Sequence, residues 1–369
     1  MRVLGFGLAP RARRAWRVLP MLLLALAVLG SSGRAEAANT VRKQAPSSKA
    51  PADAPPASDA QIAALRRALN AVVTVRVSAT EGARTARSLG EERSGTGVVI
   101  DGDGLILTIG YLLLEAQTIE VVTQDDRRMP ARQVAYDQAT GFGLLQPLIP
   151  LRTRIEPVPM GSVSALAAGE ALMVSSAGKS GAEVGVVRLV DRRAFSGYWE
   201  YHIDQALFTA PPVPNHSGAA VFNRNGELLG IGSLFVSDSQ ANGGALPGNM
   251  FVPVDLLAPV LPEMRSTGST RASHRPWLGV SSQLQDGKVR IVRVERDGPA
   301  QRAGVGVGDE VLEVDGAPVD SLESFYKKVW TRATPDDEVE LTLRQGDEVR
   351  KLRVQAMDRM DTLRKPQGI

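Results

Sequence analysis

Between residues 71 and 254 the chain divides into short runs of β-branched and apolar residues, each ended by Gly, Pro, Asn or Asp. This punctuation narrows the fold more than any other feature. Residues 72–77 form one such run; 97–100 and 105–108 form two more, joined by Asp101-Gly102-Asp103-Gly104. β-Branched residues fit a pleated, half-buried surface, and Asp-Gly pairs supply the turn between paired strands. Further strands are expected at 119–123, 131–136, 143–146, 171–175, 183–189, 219–222, 228–233 and 250–254. So many short strands predict an all-β double barrel or sandwich of one domain's size. The 36 Gly and 23 Pro among 369 residues supply its turns. The Asp-Gly-Asp-Gly stretch lacks the other ligands of a calcium loop and its distal Glu, so it reads as a hairpin.

The segment before this region has a different character. Arg2, Arg11, Arg13, Arg14 and Arg17 precede an apolar run at 19–29, and Ala35-Glu36-Ala37 has the small-x-small pattern of a signal peptidase site. The run is too short to span a bilayer stably. The expectation is a signal peptide over 1–37, cleavage after Ala37, export to the periplasm and no membrane attachment afterwards. Residues 1–37 hold six Arg against one Glu, so removing them turns a net charge of +3 into −2. The chain's basicity therefore argues for no nucleic-acid partner. With no cysteine, disulfides and thiolate metal sites are excluded, and only His202, His216 and His274 remain for a zinc site. No cofactor is expected. Residues 38–58, rich in Ala, Pro, Ser and Lys, read as a flexible linker. Ser58 and Gln61 then make a capping-box pattern ahead of Ile62, Leu65 and Leu69 at helical spacing.

One turn carries candidate chemistry. Pro214-Asn215-His216-Ser217-Gly218 leads into an apolar strand, an Asn225-Gly226 turn and a second strand. Such a turn holds a hydroxyl at the lip of a sheet, where backbone N–H groups can converge to form an oxyanion hole; solvated Ser/Asn turns are nevertheless common. The segment resembles the nucleophile loop Gly-Asn-Ser-Gly-Gly-Pro-Leu of the HtrA (Deg) family, trypsin-like proteases with C-terminal PDZ domains. Ser217 falls on the nucleophile, Asn215 on the first Gly, His216 on Asn, Ala219 on the last Gly and Ala220 on Pro. Residues 94–108 resemble the strand pair ahead of the family's catalytic His, whose position Tyr111 occupies. Residues 137–145 resemble its Asp-Pro-Arg-Thr-Asp-Leu-Ala-Val-Leu, with Gly141 at the Asp position.

The resemblance thus implies a protease fold without a triad. A serine is a poor nucleophile unless an oriented base takes its proton. A free phenol such as Tyr111 is only about one part in a thousand ionised at neutral pH. Gly141 has no side chain. His216 neighbours Ser217 in sequence, so their side chains are expected to diverge. His202 lies in a loop-like stretch, and His274 lies in a link between domains. An oxyanion hole from the N–H groups of Asn215 and Ser217 could persist if Asn215 adopts left-handed geometry, which Asn tolerates. The expectation is a pseudoprotease that keeps Ser217; the alternative is an active serine endopeptidase with an unrecognised base.

The second domain carries the more specific signature. After a hinge rich in Ser, Thr and Gly, Trp277-Leu278-Gly279-Val280 resembles the Tyr-Leu-Gly-Val carboxylate loop that opens PDZ domains of this family. Gly298-Pro299-Ala300, Ala303-Gly304 and 308–316 continue the match, followed by a helix with Leu322, Phe325 and Val329 and strands at 339–343 and 349–354. By this resemblance a peptide's C-terminal carboxylate rests on the N–H groups of Leu278, Gly279 and Val280. Its strand joins the sheet edge, and its last side chain enters a pocket of Leu278, Val280, Leu322 and Phe325 beside Trp277. The expected architecture is a mostly β chain: a chymotrypsin/trypsin-like double β-barrel over 59–264, a linker over 265–273, a small α+β PDZ domain over 274–358 and a tail over 359–369. Expected partners are polypeptide C-termini or unfolded proteins, with homo- or hetero-oligomers of related proteases open.

Overall fold

A computed structural model describes residues 58–365 apart from 152–154, 179–180, 241–244 and 333. The expected signal peptide, its cleavage site and the spacer before Ser58 lie outside the described residues. Helix α1 (Asp59–Asn70) begins with the expected capping box: Gln61 N–H donates to Ser58 Oγ at 3.3 Å, and Ser58 N–H donates to Gln61 Oε1 at 3.0 Å. Two backbone donors at the helix start are thereby satisfied.

Two closed barrels follow, which decides between the barrel and sandwich expectations. The first holds β1 (Val72–Ala79), β2 (Glu92–Val99), β3 (Ile106–Ile109), β4 (Ala116–Val122), β5 (Arg128–Tyr136) and β6 (Phe142–Pro147), in the order β1-β2-β3-β6-β5-β4. Val75, Val98, Leu107, Phe142 and Leu144 pack its interior. The second holds β7 (Ala171–Gly178), β8 (Gly181–Gly197), β9 (Tyr201–Ala210), β10 (Ala220–Phe222), β11 (Leu228–Val236) and β12 (Gly248–Pro253), in the order β10-β11-β12-β9-β8-β7. Closure pairs the edge strands of each sheet and removes a template for aggregation.

Strands β8 and β9 depart most from the sequence expectation. Residues 198–202 read as loop-like, yet only 198–200 form a turn, and His202 lies within a strand. The strand expected over 183–189 is the first part of β8, beyond which Asp191, Arg192 and Arg193 interrupt the apolar pattern. The strand instead continues through register shifts at Leu189/Asp191 and Arg193/Phe195. Such bulges bend a strand without ending it. They carry the β8–β9 hairpin onward, and its tip meets the second domain.

That domain has strands β13 (Pro276–Trp277), β14 (Val280–Gln285), β15 (Lys288–Val294), β16 (Glu310–Val314), β17 (Ala317–Pro318), β18 (Glu338–Gln345), β19 (Glu348–Gln355) and β20 (Met357–Asp358). Its main sheet runs β14-β15-β16-β18-β19. The helix over Leu322–Val329 buries Phe325, Tyr326 and Val329 against this sheet, and Ser321 caps it. Leu322 is only partly buried.

The stretch expected to be a solvated hinge is packed instead. Thr270 and Ser273 are buried, and each donates its hydroxyl to Asp137 Oδ1 at 2.5 Å. Asp137 is itself buried and also accepts from Thr140 N–H at 3.0 Å and Thr140 Oγ1 at 2.5 Å. With Ala139 N–H at 3.3 Å, five donors converge on this buried carboxyl group and satisfy its oxygens. The segment after β20 is also held: Arg364 N–H donates to Glu115 Oε1 at 3.0 Å, and Thr85 donates to Oε2 through its N–H at 2.8 Å and its hydroxyl at 2.7 Å. Asp137→Ala strands the hydroxyls of Thr270 and Ser273. We expect it to lower unfolding stability by about 3 kcal/mol in a denaturant titration, with Asp137→Asn costing less.

Candidate active site and peptide groove

Ser217 lies on the turn between β9 and β10, wedged between the two barrels. Thr96 N–H of β2 donates to its carbonyl at 2.9 Å, and the next residue, Gly218, donates to the Gly232 carbonyl of β11 at 2.8 Å. Gly218 has a φ of +75°, and a Cβ there would stand 2.1 Å from the Thr96 carbonyl oxygen. Sterics alone therefore require glycine after the serine.

Tyr111 arrives on the single 3-10 turn Gly110–Leu113 after β3. Its hydroxyl lies 2.7 Å from Ser217 Oγ and 2.9 Å from the Ser233 carbonyl oxygen. The structure thus brings together the two residues that the sequence placed at nucleophile and base. A phenol can take the serine proton only as phenolate, however. Burial pushes the Tyr111 pKa up to about 12, and the Ser217 contact only partly offsets this. At pH 7 that leaves about one part in 10⁵ ionised, roughly a hundredfold less than a free phenol.

The third position is closed as well. Gly141 has a φ of +87°, and a Cβ there would meet Tyr201 Oη at 3.3 Å. The Tyr201 hydroxyl donates to the Thr140 carbonyl at 2.7 Å, so its ring holds the space beside that turn. Asp137, the nearest acid in sequence, is engaged by the linker hydroxyls described above.

No histidine substitutes. His216 Nδ1 lies 3.1 Å from the Pro214 carbonyl of its own loop, and burial lowers its pKa. His202 faces Ser196 Oγ through Nδ1 at 2.8 Å and Asp204 through Nε2 at 3.1 Å. His274 bridges Ser269 and Asp358. Asn215 does not adopt left-handed geometry; it is exposed and donates Nδ2 to Glu183 Oε2 at 2.9 Å. His202, Asp204 and Glu323 do come within metal-binding distance of one another. The Lys327 ammonium already lies 2.8 Å from both carboxylates and supplies the counter-charge.

The groove expected to take a peptide is engaged by the barrel. Glu200, at the β8–β9 tip, is 2% exposed. Its Oε2 accepts from Leu278 N–H at 3.0 Å, and its Oε1 accepts from Gly279 N–H at 2.9 Å and Val280 N–H at 3.0 Å. Burial pushes the Glu200 carboxyl above its usual range, while the three N–H donors and the nearby Arg359 charge pull it down. Ser282 N–H donates to the Tyr198 carbonyl at 2.8 Å, and Tyr326 Oη donates to the Gly197 carbonyl at 2.9 Å. Arg275 stacks 3.4 Å from the Trp330 ring centroid and donates to the Glu200 carbonyl at 3.1 Å. Leu278 and Phe325, expected to line the ligand pocket, are fully buried in the domain core, with Val280 and Trp277 nearly so. Beside this contact, a cavity of about 400 Å³ is bordered by Tyr111, His216 and Ser233 of the barrels and by Trp277 and Gly279 of the second domain. Sequence reasoning did not single out Glu200. The only available signal was an acidic residue within an aromatic turn, Tyr198-Trp199-Glu200-Tyr201.

Two closed β-barrels with a serine turn between them, followed by a sheet with a capping helix and an N-terminal carboxylate-type loop, define a trypsin-like peptidase fold joined to a PDZ domain. The trypsin-like peptidase domain model matches residues 95–231 and the PDZ domain model matches residues 276–356. The chain belongs to the HtrA/Deg family. It is 30% identical over 291 residues to the "Probable periplasmic serine endoprotease DegP-like" of Halomonas elongata, spanning 74% of this chain and 58% of that protein. It is 28% identical over 276 residues to "Serine protease PepD" of Mycobacterium tuberculosis, spanning 68% and 58%. The chain thus spans well under two thirds of these relatives. Among solved structures, the HtrA-type protease AlgW with a tripeptide is 21% identical with a TM-score of 0.51, covering 83% of this chain and 98% of that one. The serine endoprotease of Yersinia pestis is 23% identical with a TM-score of 0.50, covering 82% and 98%. These likenesses are of fold.

Replacing Tyr111 and Gly141 with the family's residues is not expected to rebuild a triad. An Asp at 141 must hold a φ of +87° against Tyr201. We expect Tyr111→His/Gly141→Asp to cleave casein no faster than its Ser217→Ala counterpart, measured by release of labelled fragments.

Proposed function

We propose that this is a non-proteolytic member of its family: an exported, periplasmic protein that binds unfolded or C-terminally exposed polypeptides as a holdase or adaptor. The observation that carries this reading is the Tyr111–Ser217 contact, in which the base position holds a phenol pushed up to about 12 and the Asp position holds Gly141. Loss of triad members costs serine proteases about four to six orders of magnitude in turnover. Binding does not depend on that chemistry. The family's barrel and PDZ domain persist here around the altered centre, and a relative's structure was solved with a bound tripeptide. Export is supported by the relatives named as periplasmic and by the signal-like pattern of residues 1–37. Among the described residues no helix is long and apolar enough to cross a membrane.

The purified protein and its Ser217→Ala variant, prepared from a host without proteases of this family, are expected to leave casein equally intact. Both are expected to slow the aggregation of reduced lysozyme to the same extent. Serine-dependent cleavage would replace this reading with that of an active endopeptidase.

A further inference from the structure

The β8–β9 tip meets the PDZ domain as a bound peptide would. A C-terminal peptide places a carboxylate on the loop N–H groups and adds its backbone to the adjoining strand edge. Here the Glu200 carboxylate takes the N–H groups of Leu278, Gly279 and Val280, and the Tyr198 carbonyl, two residues earlier, takes Ser282 N–H of β14. Gly197 then accepts from Tyr326 on the helix that walls the other side. Glu200 holds a φ of +58°, a conformation uncommon for a residue with a side chain, and this aims its carboxylate at the loop. Chain, strand edge, carboxylate loop and helix are therefore all engaged by one segment.

We propose that Tyr198-Trp199-Glu200 is an internal ligand of the PDZ groove, its glutamate standing in for a C-terminal carboxylate, so that a polypeptide end binds only by displacing the hairpin tip. The inference rests on reading residues 276–356 as a peptide receptor. The apparent affinity of the groove for an external chain is reduced by the fraction of molecules in which the tip is withdrawn. Outside the groove, Lys327 holds Asp204 and Glu323 at 2.8 Å each and ties β9 to the PDZ helix, so the tip stays close to its seat. Because the same tip borders the cavity that reaches Tyr111, its displacement also widens access to the barrel cleft.

The first test is hydrogen exchange of the amides at 278–282 in the unliganded protein. Glu200→Ala is expected to speed their exchange by about tenfold or more, with the amides of β18 and β19 unchanged as a control for folding. Glu200→Gln, which keeps the shape and loses the charge, should fall between. Unchanged exchange at the loop in both variants overturns the proposal. The second test is anisotropy with fluorescein-labelled decapeptides ending in free Val, Leu or Phe, beside amidated copies. Glu200→Ala is expected to bind at least one free-acid peptide about tenfold or more tighter than the unaltered protein does, and the amidated copies no better. Equal affinity of the two proteins for a bound free-acid peptide also overturns the proposal. If exchange speeds up and no peptide binds either protein, the internal contact stands and the reading of this groove as a receptor for polypeptide ends falls.

Discussion

A buried carboxylate needs donors from every side, and this chain meets that demand at Glu200 by joining its two halves. The carboxylate reaches three consecutive PDZ amides from the tip of a barrel hairpin, while Arg275 donates to the same residue's carbonyl. Desolvating an ion costs several kcal/mol, and charge-assisted hydrogen bonds return about 1.5–3 kcal/mol each. The contact is stable only when all of its donors are present, so it sets the spacing between the hairpin, β14 and the PDZ helix together. The long, bulged β8 and the left-handed backbone of Glu200 both serve that placement.

Asp137 meets the same constraint elsewhere. Its oxygens accept from Ala139, Thr140, Thr270 and Ser273, which docks the interdomain segment on this turn. Beside it, Tyr201 packs against Gly141 and donates its hydroxyl to the Thr140 carbonyl. At Ser217 and Gly218 the backbone is wedged between Thr96 and Gly232, and packing admits no side chain at Gly218.

Much of this was legible beforehand. The alternating β1 run, the Asp101–Gly104 hairpin, the Ser58–Gln61 cap and the Leu322/Phe325/Val329 helix face each rest on local rules of period and turn chemistry, and each appears as expected. The chemistry of Tyr111 and Gly141 was also legible, because a side chain's identity is enough to show that a phenol or a glycine cannot act as imidazole or carboxylate. What local rules missed was β9 and the outer part of β8, where Asp191, Arg192 and Arg193 interrupt the apolar pattern and the pairing runs through two register shifts. They also missed the linker, whose Ser and Thr residues read as solvated until Asp137 is seen to gather their hydroxyls.

The sequence by itself determined the two kinds of domain, the side-chain chemistry at Tyr111, Gly141 and Ser217 and the loop of amides at 278–280. It could do so because strand period, turn residues and functional-group chemistry are properties of short segments. Tertiary structure alone decided that Tyr111 touches Ser217 and is pushed further from ionisation by burial, and that Glu200 fills the carboxylate loop. Those outcomes depend on distances between residues some 80 to 106 positions apart and on the removal of water from around them, and neither is written in any local stretch of the chain.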